Sequence, residues 1–197
     1  MNDSFVSRKD RIISSAIEII SDSGLSALTT RNLAIKENMS EALLYKYFGG
    51  INEVLIEVVD YYTRFDNQIR HTFKSREGTN IQKLRDYMDA YATYYDNYYA
   101  ISTLMLQYEE LLHHMDVREK IAWCITERQS FIADLFKGAI EEDEIIDVFT
   151  PEQLATNITG VLMSHILSRR IVYHKKTFRQ EFMSNIDKWF ELLKKVK

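Results

Sequence analysis

The stretch Thr29-Thr30-Arg31-Asn32-Leu33-Ala34-Ile35-Lys36-Glu37-Asn38-Met39-Ser40-Glu41-Ala42-Leu43-Leu44-Tyr45-Lys46-Tyr47-Phe48 decides the fold. Thr29 or Thr30 can cap a helix by accepting hydrogen bonds from its first free amides, and Ser40 can cap a second. Between them, Asn38 suits a turn that needs positive φ, where Gly is the first choice and Asn the second. Two short helices follow, from residue 30 to about 37 and from 40 to about 47. For these to cross steeply a small residue must sit at the crossing, and Ala34 is there. Leu33, Met39, Leu44 and Tyr47 have the spacing of apolar side chains that flank such a turn and line the second helix. The outer residues at the start of that helix, Ser40, Glu41 and Ala42, are small or polar, as insertion into a major groove requires. Leu43 can meet a thymine methyl. A buried helical hairpin would leave the exposed tyrosine–lysine pattern at residues 45–47 without a cause.

Working outward, Ile12, Ile13, Ala16, Ile17, Ile19 and Ile20 repeat at helical spacing and predict a helix over residues 7–23. Ser7 with Asp10 resembles a capping box, and Gly24 suits an αL stop. After Gly49-Gly50 a long helix is predicted over 52–74, then helices over 81–97, 100–113, 117–140, 150–173 and 177–194. Residues 75–80 read as a loop, Glu141-Glu142-Asp143-Glu144 as a solvated acidic loop, and His174 to Lys176 as a basic connector. Thr150-Pro151-Glu152-Gln153 is a strong helix start, with Thr at the N-cap and Pro at the first helical position. The fold class is all-α with about nine helices: a helix-turn-helix domain at residues 1–50 and a larger helical domain at 51–197.

Composition supports this. Six Gly and one Pro in 197 residues leave little for a turn-rich fold. One cysteine, Cys124, excludes an internal disulfide and a cysteine-based zinc site; its apolar neighbours mark it as a buried residue. No segment reaches the ~20 apolar residues of a membrane span, and Asp3 and Asp10 break any secretory pattern at the start, so a cytoplasmic location is expected. A net charge of −4 argues against a chain that coats nucleic acid through bulk charge. Residues 1–50 are balanced, with six basic and six acidic residues, so the acidic excess lies beyond them.

The segment Thr29-Thr30-Arg31-Asn32-Leu33-Ala34 through Leu43-Leu44-Tyr45-Lys46-Tyr47-Phe48, followed by Glu53-Val54-Leu55, resembles the DNA-binding domain of TetR/AcrR-family transcriptional regulators. The resemblance covers about residues 7–60. It implies that Thr30 and Arg31 touch phosphate, and that Ser40, Glu41, Ala42 and Leu43 face base edges or the adjacent backbone. It implies that Tyr45 gives its hydroxyl to a phosphate, Lys46 contacts phosphate or a base, and Tyr47 contacts the backbone. Leu44 and Phe48 would be core. Three departures stand out. Asn38 replaces the usual Gly, Ile51 stands where a phosphate-binding Lys commonly opens the next helix, and Ala42-Leu43 replaces a frequent Gly or Thr.

Seven of the twelve tyrosines lie between residues 87 and 108. Tyr87, Tyr91, Tyr94 and Tyr98 form one stripe on a helix. Such a stripe serves as core or as the wall of a pocket, where the ring packs apolar groups and the hydroxyl orients a polar one. Tyr62, Phe65, Tyr91, Tyr94, Tyr95, Met105, Tyr108 and Trp123 are the pocket candidates. Glu109 could meet a cation, so the expected small-molecule effector is aromatic or cationic. Glu110 with His113 is a lone Glu-x-x-His pair, without the second pair a di-iron site needs; no metal and no cofactor is expected.

The last two helices carry wide apolar faces, with Leu154, Ile158, Leu162 and His165 on one and Phe182, Ile186, Trp189 and Phe190 on the other. Pairing with a second copy would make a four-helix bundle, and the resemblance implies the same two-fold homodimer. The expected function is a ligand-responsive dimeric transcriptional regulator, a repressor bound to a palindromic operator of double-stranded DNA and released by a small molecule. The alternative is a TetR-like fold that has lost DNA binding and acts as an interaction protein or small-molecule carrier. An enzyme is not expected: no nucleophile–base pair, phosphate loop or metal set is visible.

Overall fold

A computed structural model describes residues 7–173 and 175–195. The reading of residues 1–6 as a non-secretory start, and of His174 as part of a connector, lies outside the described residues. The elements are α1 (Arg8–Ser23), α2 (Thr30–Lys36), α3 (Glu41–Leu44), α4 (Ile51–Lys74), α5 (Asn80–Asn97), α6 (Tyr99–Ser102), α7 (Tyr108–Leu112), α8 (Arg118–Glu141), α9 (Pro151–Ile171) and α10 (Phe178–Leu193). Short 3₁₀ turns occupy Leu25–Ala27 and Thr103–Gln107. Counting α6 to α7 as one broken helix leaves nine, and among the described residues there is no strand, only one isolated bridge between Ile145 and Lys194.

The local signals explain most of the boundaries. Ser7 and Asp10 form a reciprocal capping box at α1, and Thr150 with Gln153 does so at α9, where Pro151 opens the helix. Thr177 with Gln180 repeats the device at α10. Thr29, rather than Thr30, caps α2. Gly24 has φ 86° and ψ 169°, so the chain leaves α1 through an extended mirror-image conformation and not the αL stop the sequence suggested. α3 is shorter than expected, closing at Leu44 with tighter turns over residues 45–47.

The chain divides into two compact units, residues 1–64 with 100–122, and residues 65–99 with 123–197. In the first, α1 packs on α2 and on the Thr103–Gln107 turn, and α2 packs on α3. Its core holds Ile12, Ala16, Ile20, Leu33, Leu44, Phe48, Val54 and Val58. In the second, α10 packs on α5 and α9, around Leu84, Tyr87, Phe136, Ile158, Phe182 and Ile186. Gly138 lets α8 approach the start of α5: a Cβ there would lie 2.8 Å from the Asn80 side chain.

Glu141, Glu142 and Asp143 are exposed, as a solvated run requires, but Glu144 departs from that reading. Glu144 accepts hydrogen bonds from the backbone amides of Asn80 at 2.8 Å and Ile81 at 2.9 Å, closing the N-terminus of α5. Partial burial pushes its carboxyl up, but the bonds from Ile81, Asn80 and Thr79 outweigh burial and hold it below the usual carboxylate range.

Candidate functional site

In the first unit, α2 and α3 meet around Asn38, which adopts φ 51°. The Met39 amide donates back to the Ala34 carbonyl at 2.9 Å and the Asn38 amide to Ile35 at 3.1 Å, satisfying the carbonyls at the end of α2. The Ser40 hydroxyl accepts from the Leu43 amide at 3.2 Å, fixing the first turn of α3. Leu33, Ala34, Leu44 and Phe48 are buried, as the spacing requires. Arg31, Ser40, Glu41, Ala42, Tyr45 and Lys46 are exposed, and Leu43 and Tyr47 are half-buried. One exposed face thus carries a phenol, an ammonium, a guanidinium and a carboxylate.

Thr30 departs from a free phosphate contact. Its hydroxyl donates to the Glu41 carboxylate at 2.7 Å, tying α2 to α3. Glu37 is held by Arg11 and Ser15 of α1, and Lys36 is paired with Glu18 at 2.8 Å. Among the described residues, the cations left facing solvent on this face are therefore Arg31 and Lys46, and Ile51 adds none.

The predicted pocket residues fall in both units. In the first, the hydroxyls of Tyr62 and Tyr108 are hydrogen-bonded and Met105 is buried. Glu109 stands at the surface beside His113 at 3.4 Å, so a cationic effector has no anchor there. In the second, Phe65 stacks on Tyr94 with ring centroids 3.4 Å apart, while Tyr91 packs edge-on against Phe65, Tyr87 and Tyr95. The buried stripe on α5 is Tyr87, Tyr91 and Tyr95, with Tyr94 half-buried and Tyr98 exposed. It is rotated from the stripe read in the sequence because the spacings 4-4 and 4-3-4 both fit one helix face. Trp123, expected inside, is 47% exposed.

Polar groups that the sequence reading passed over lie beside these rings. Asp66, Arg70 and Arg128 are all buried. Arg128 Nε donates to Asp66 Oδ1 at 2.8 Å, Tyr91 donates its hydroxyl to the same oxygen, and Arg70 Nε lies 3.1 Å from Oδ2. Burial pushes the Tyr87 and Tyr91 phenols well above their ordinary value. It also pushes the Cys124 thiol up to about 12, so that thiol is an inert core group. The signal was present: Tyr62, Asp66, Ile69 and Phe73 share one helical stripe, and Arg128 continues the stripe of Ile121 and Cys124.

Six of the eight predicted dimer residues, Leu154, Ile158, Leu162, Phe182, Ile186 and Phe190, are buried within the single chain. Only His165 and Trp189 are half-accessible. The correction is one of face: the strongest apolar stripe of each helix covers the chain's own core. The accessible stripe of α9 is Asn157, Gly160, Ser164, Leu167 and Ile171.

Fold and site together define a class: an all-α protein whose N-terminal helix-turn-helix precedes a larger helical body. Residues 12–58 match the family model of bacterial regulatory proteins, tetR family. That match covers the helix-turn-helix and the start of α4. The chain is similar to the ketosteroid transcriptional regulator KstR2 of Mycobacterium tuberculosis, at TM-score 0.87 and 15% identity over 98% of both chains. It is also similar to the TetR-family regulator PfmR of Thermus thermophilus, at TM-score 0.78 and 18% identity over 92% of this chain and 98% of that one. A third similar structure is FadR of Bacillus subtilis in complex with stearoyl-CoA, at TM-score 0.70 and 16% identity over 90% and 95%. No curated protein sequence matches the chain.

Among the described residues, no group of three His, Cys, Asp or Glu could hold a metal, and no helix is long and apolar enough to cross a membrane.

Proposed function

We propose that the chain is a ligand-responsive, dimeric transcriptional regulator, a cytoplasmic repressor that binds a palindromic operator and is released by a small molecule. The observation that carries this reading is the exposed face of α3 and its following turn, with Tyr45 and Lys46 displayed while Leu44 and Phe48 anchor the element. Tyr45, Lys46 and Arg31 fix the protein on phosphates; Ala42, Leu43 and Glu41 read base edges. The bond from Thr30 aims the Glu41 carboxylate, which suits an amino group such as cytosine N4.

Dimerisation presents two such faces to two half-sites about one helical turn apart. The outer stripe of α9, small at Gly160 and Ser164 and apolar at Leu167 and Ile171, suits close helix packing against a second copy. Ligand binding favours a dimer with another separation of the two faces, by population shift. α4 is the natural lever, since it follows the helix-turn-helix directly and supplies residues to both units. A useful switch needs a coupling of roughly 1–3 kcal/mol. That the similar FadR structure holds stearoyl-CoA supports a small-molecule effector here.

The test is a titration of the purified chain on DNA from its own promoter. Tyr45→Phe is expected to weaken binding to all sequences alike, and Leu43→Ala to change which sequence is preferred. Selective binding that is indifferent to both variants would move the interface elsewhere. Ile51 and the neutral charge of residues 1–50 favour the second reading, an interaction protein or carrier without DNA binding; its mark is the absence of sequence-selective binding.

A further inference from the structure

The second unit holds a cleft of about 180 Å³ on the surface of α4 and α8, lined by Asn67, Arg70, His71, Lys74, Trp123 and Glu127. We propose that this cleft binds a small organic carboxylate with a flat apolar body, and that this anion is the effector of the proposed regulator. The proposal rests on that reading and names the chemistry of its ligand.

The argument begins with buried charge. Arg70 and Arg128 are 4% and 3% exposed, and between them lies one buried carboxylate, Asp66. Asp66 Oδ1 is engaged by Arg128 and by the Tyr91 hydroxyl, which leaves Oδ2 to face Arg70. Arg70 thus has Asp66 as one counter-charge and takes a second carboxylate from the side of the cleft. In this structure Glu127 supplies it, with Oε2 3.1 Å from Arg70 Nη1.

Glu127 is a weak holder of that place. Its side chain is 41% exposed, so solvent screens the pair, whereas Arg70 itself is fixed by Asp66 and by the Asn67 side chain. The carboxylate is the more exposed half, and it shows which ligand chemistry Arg70 Nη1 accepts from the cleft: the oxygen of a carboxylate.

The other walls fit the same guest. Lys74 is exposed and forms no ion pair among the described residues, adding a cationic group to the cleft beside the exposed His71 ring. The Trp123 ring lies over the Arg70 guanidinium, 5.3 Å from its centroid, yet is 47% exposed. An uncovered indole beside an anion subsite is a stacking surface for a flat apolar group. The cleft is smaller than a pocket that encloses a whole drug-sized ligand, so the anionic head seats against Arg70 while the body lies along Trp123.

The probe is 2-naphthoate, with 2-naphthamide as the neutral analogue, titrated calorimetrically into the full chain. Saturable binding of the carboxylate and not of the amide is expected. Glu127→Gln removes the competing charge and should tighten binding by roughly two- to fivefold, and Lys74→Gln should weaken it by a similar factor. A gain in Glu127→Gln cannot come from a misfolded protein, so the outcome does not depend on whether Arg70 variants fold. Equal binding of the amide, no saturable binding of naphthoate, or a Glu127→Gln variant that binds no tighter would each overturn the site. Release from promoter DNA is measured separately with the same probe. Binding without release overturns the effector role alone, and absence of DNA binding counts against the regulator and not against the cleft.

Discussion

Asp66 shows how one residue can organise an interior. It is 1% exposed and faces two guanidiniums and a phenol, so its charge is fully used. Removing one member of a buried ionic group costs far more than the group is worth, because the partners remain charged and dry. Asp66→Asn is therefore expected to destabilise the chain by about 3–5 kcal/mol, read as a lower urea midpoint. A change under about 1 kcal/mol would mean that water or Glu127 compensates both arginines. Thr30 is the counterpart in the helix-turn-helix. The sequence offers it as a cap or a phosphate ligand, and the structure instead uses Thr29 as the cap and Thr30 to hold Glu41. Two adjacent threonines have the same chemistry, and only the path of the chain decides between them.

At the scale of elements, the turn between α2 and α3 depends on Asn38 at φ 51°. A β-carbon without a local polar partner is strained in that region by about 1–2 kcal/mol. Asn38→Ala should lower stability by about 1 kcal/mol and weaken DNA binding, while Asn38→Gly should be neutral or stabilising in thermal melts; equal effects of the two would contradict the turn assignment. Glu144 gives the corresponding argument for α5. Its carboxyl is held below its unfolded value, so its contribution is present above about pH 4.3 and is lost as pH falls through the folded value. Glu144→Gln should cost about 1 kcal/mol at neutral pH, the scale of a helix cap, and flatten the acid side of the stability profile. An unchanged acid limb would remove Glu144 from the cap. The capping boxes at Ser7 and Thr150, the Asn38 turn and most helix spans were legible because they are set by neighbours in sequence, whereas the helix expected over 100–113 is broken by the Thr103–Gln107 turn. The Glu144 cap was not, since it joins residues 64 positions apart. Nor was the true buried face of α5, because spacing alone leaves a helix free to rotate by one residue.

At the scale of the molecule, patterning gave the all-α class, and the apolar stripes of α9 and α10 gave surfaces that must be covered. It could not say by what. Leu154, Ile158 and Phe182 are covered by their own chain, which leaves Gly160, Ser164, Leu167 and Ile171 as the accessible stripe of α9. Charge shows the same division. The acidic excess lies beyond residue 50, and the first 50 residues are neutral overall, so the proposed affinity for DNA rests on placement of a few groups and not on bulk attraction. The most direct measurement is selection from a pool of random duplex DNA by the full chain, followed by titration of the selected site at several salt concentrations. The account predicts enrichment of a two-fold symmetric sequence with half-sites about one helical turn apart, bound less tightly as salt rises. No enrichment at any salt concentration would contradict it.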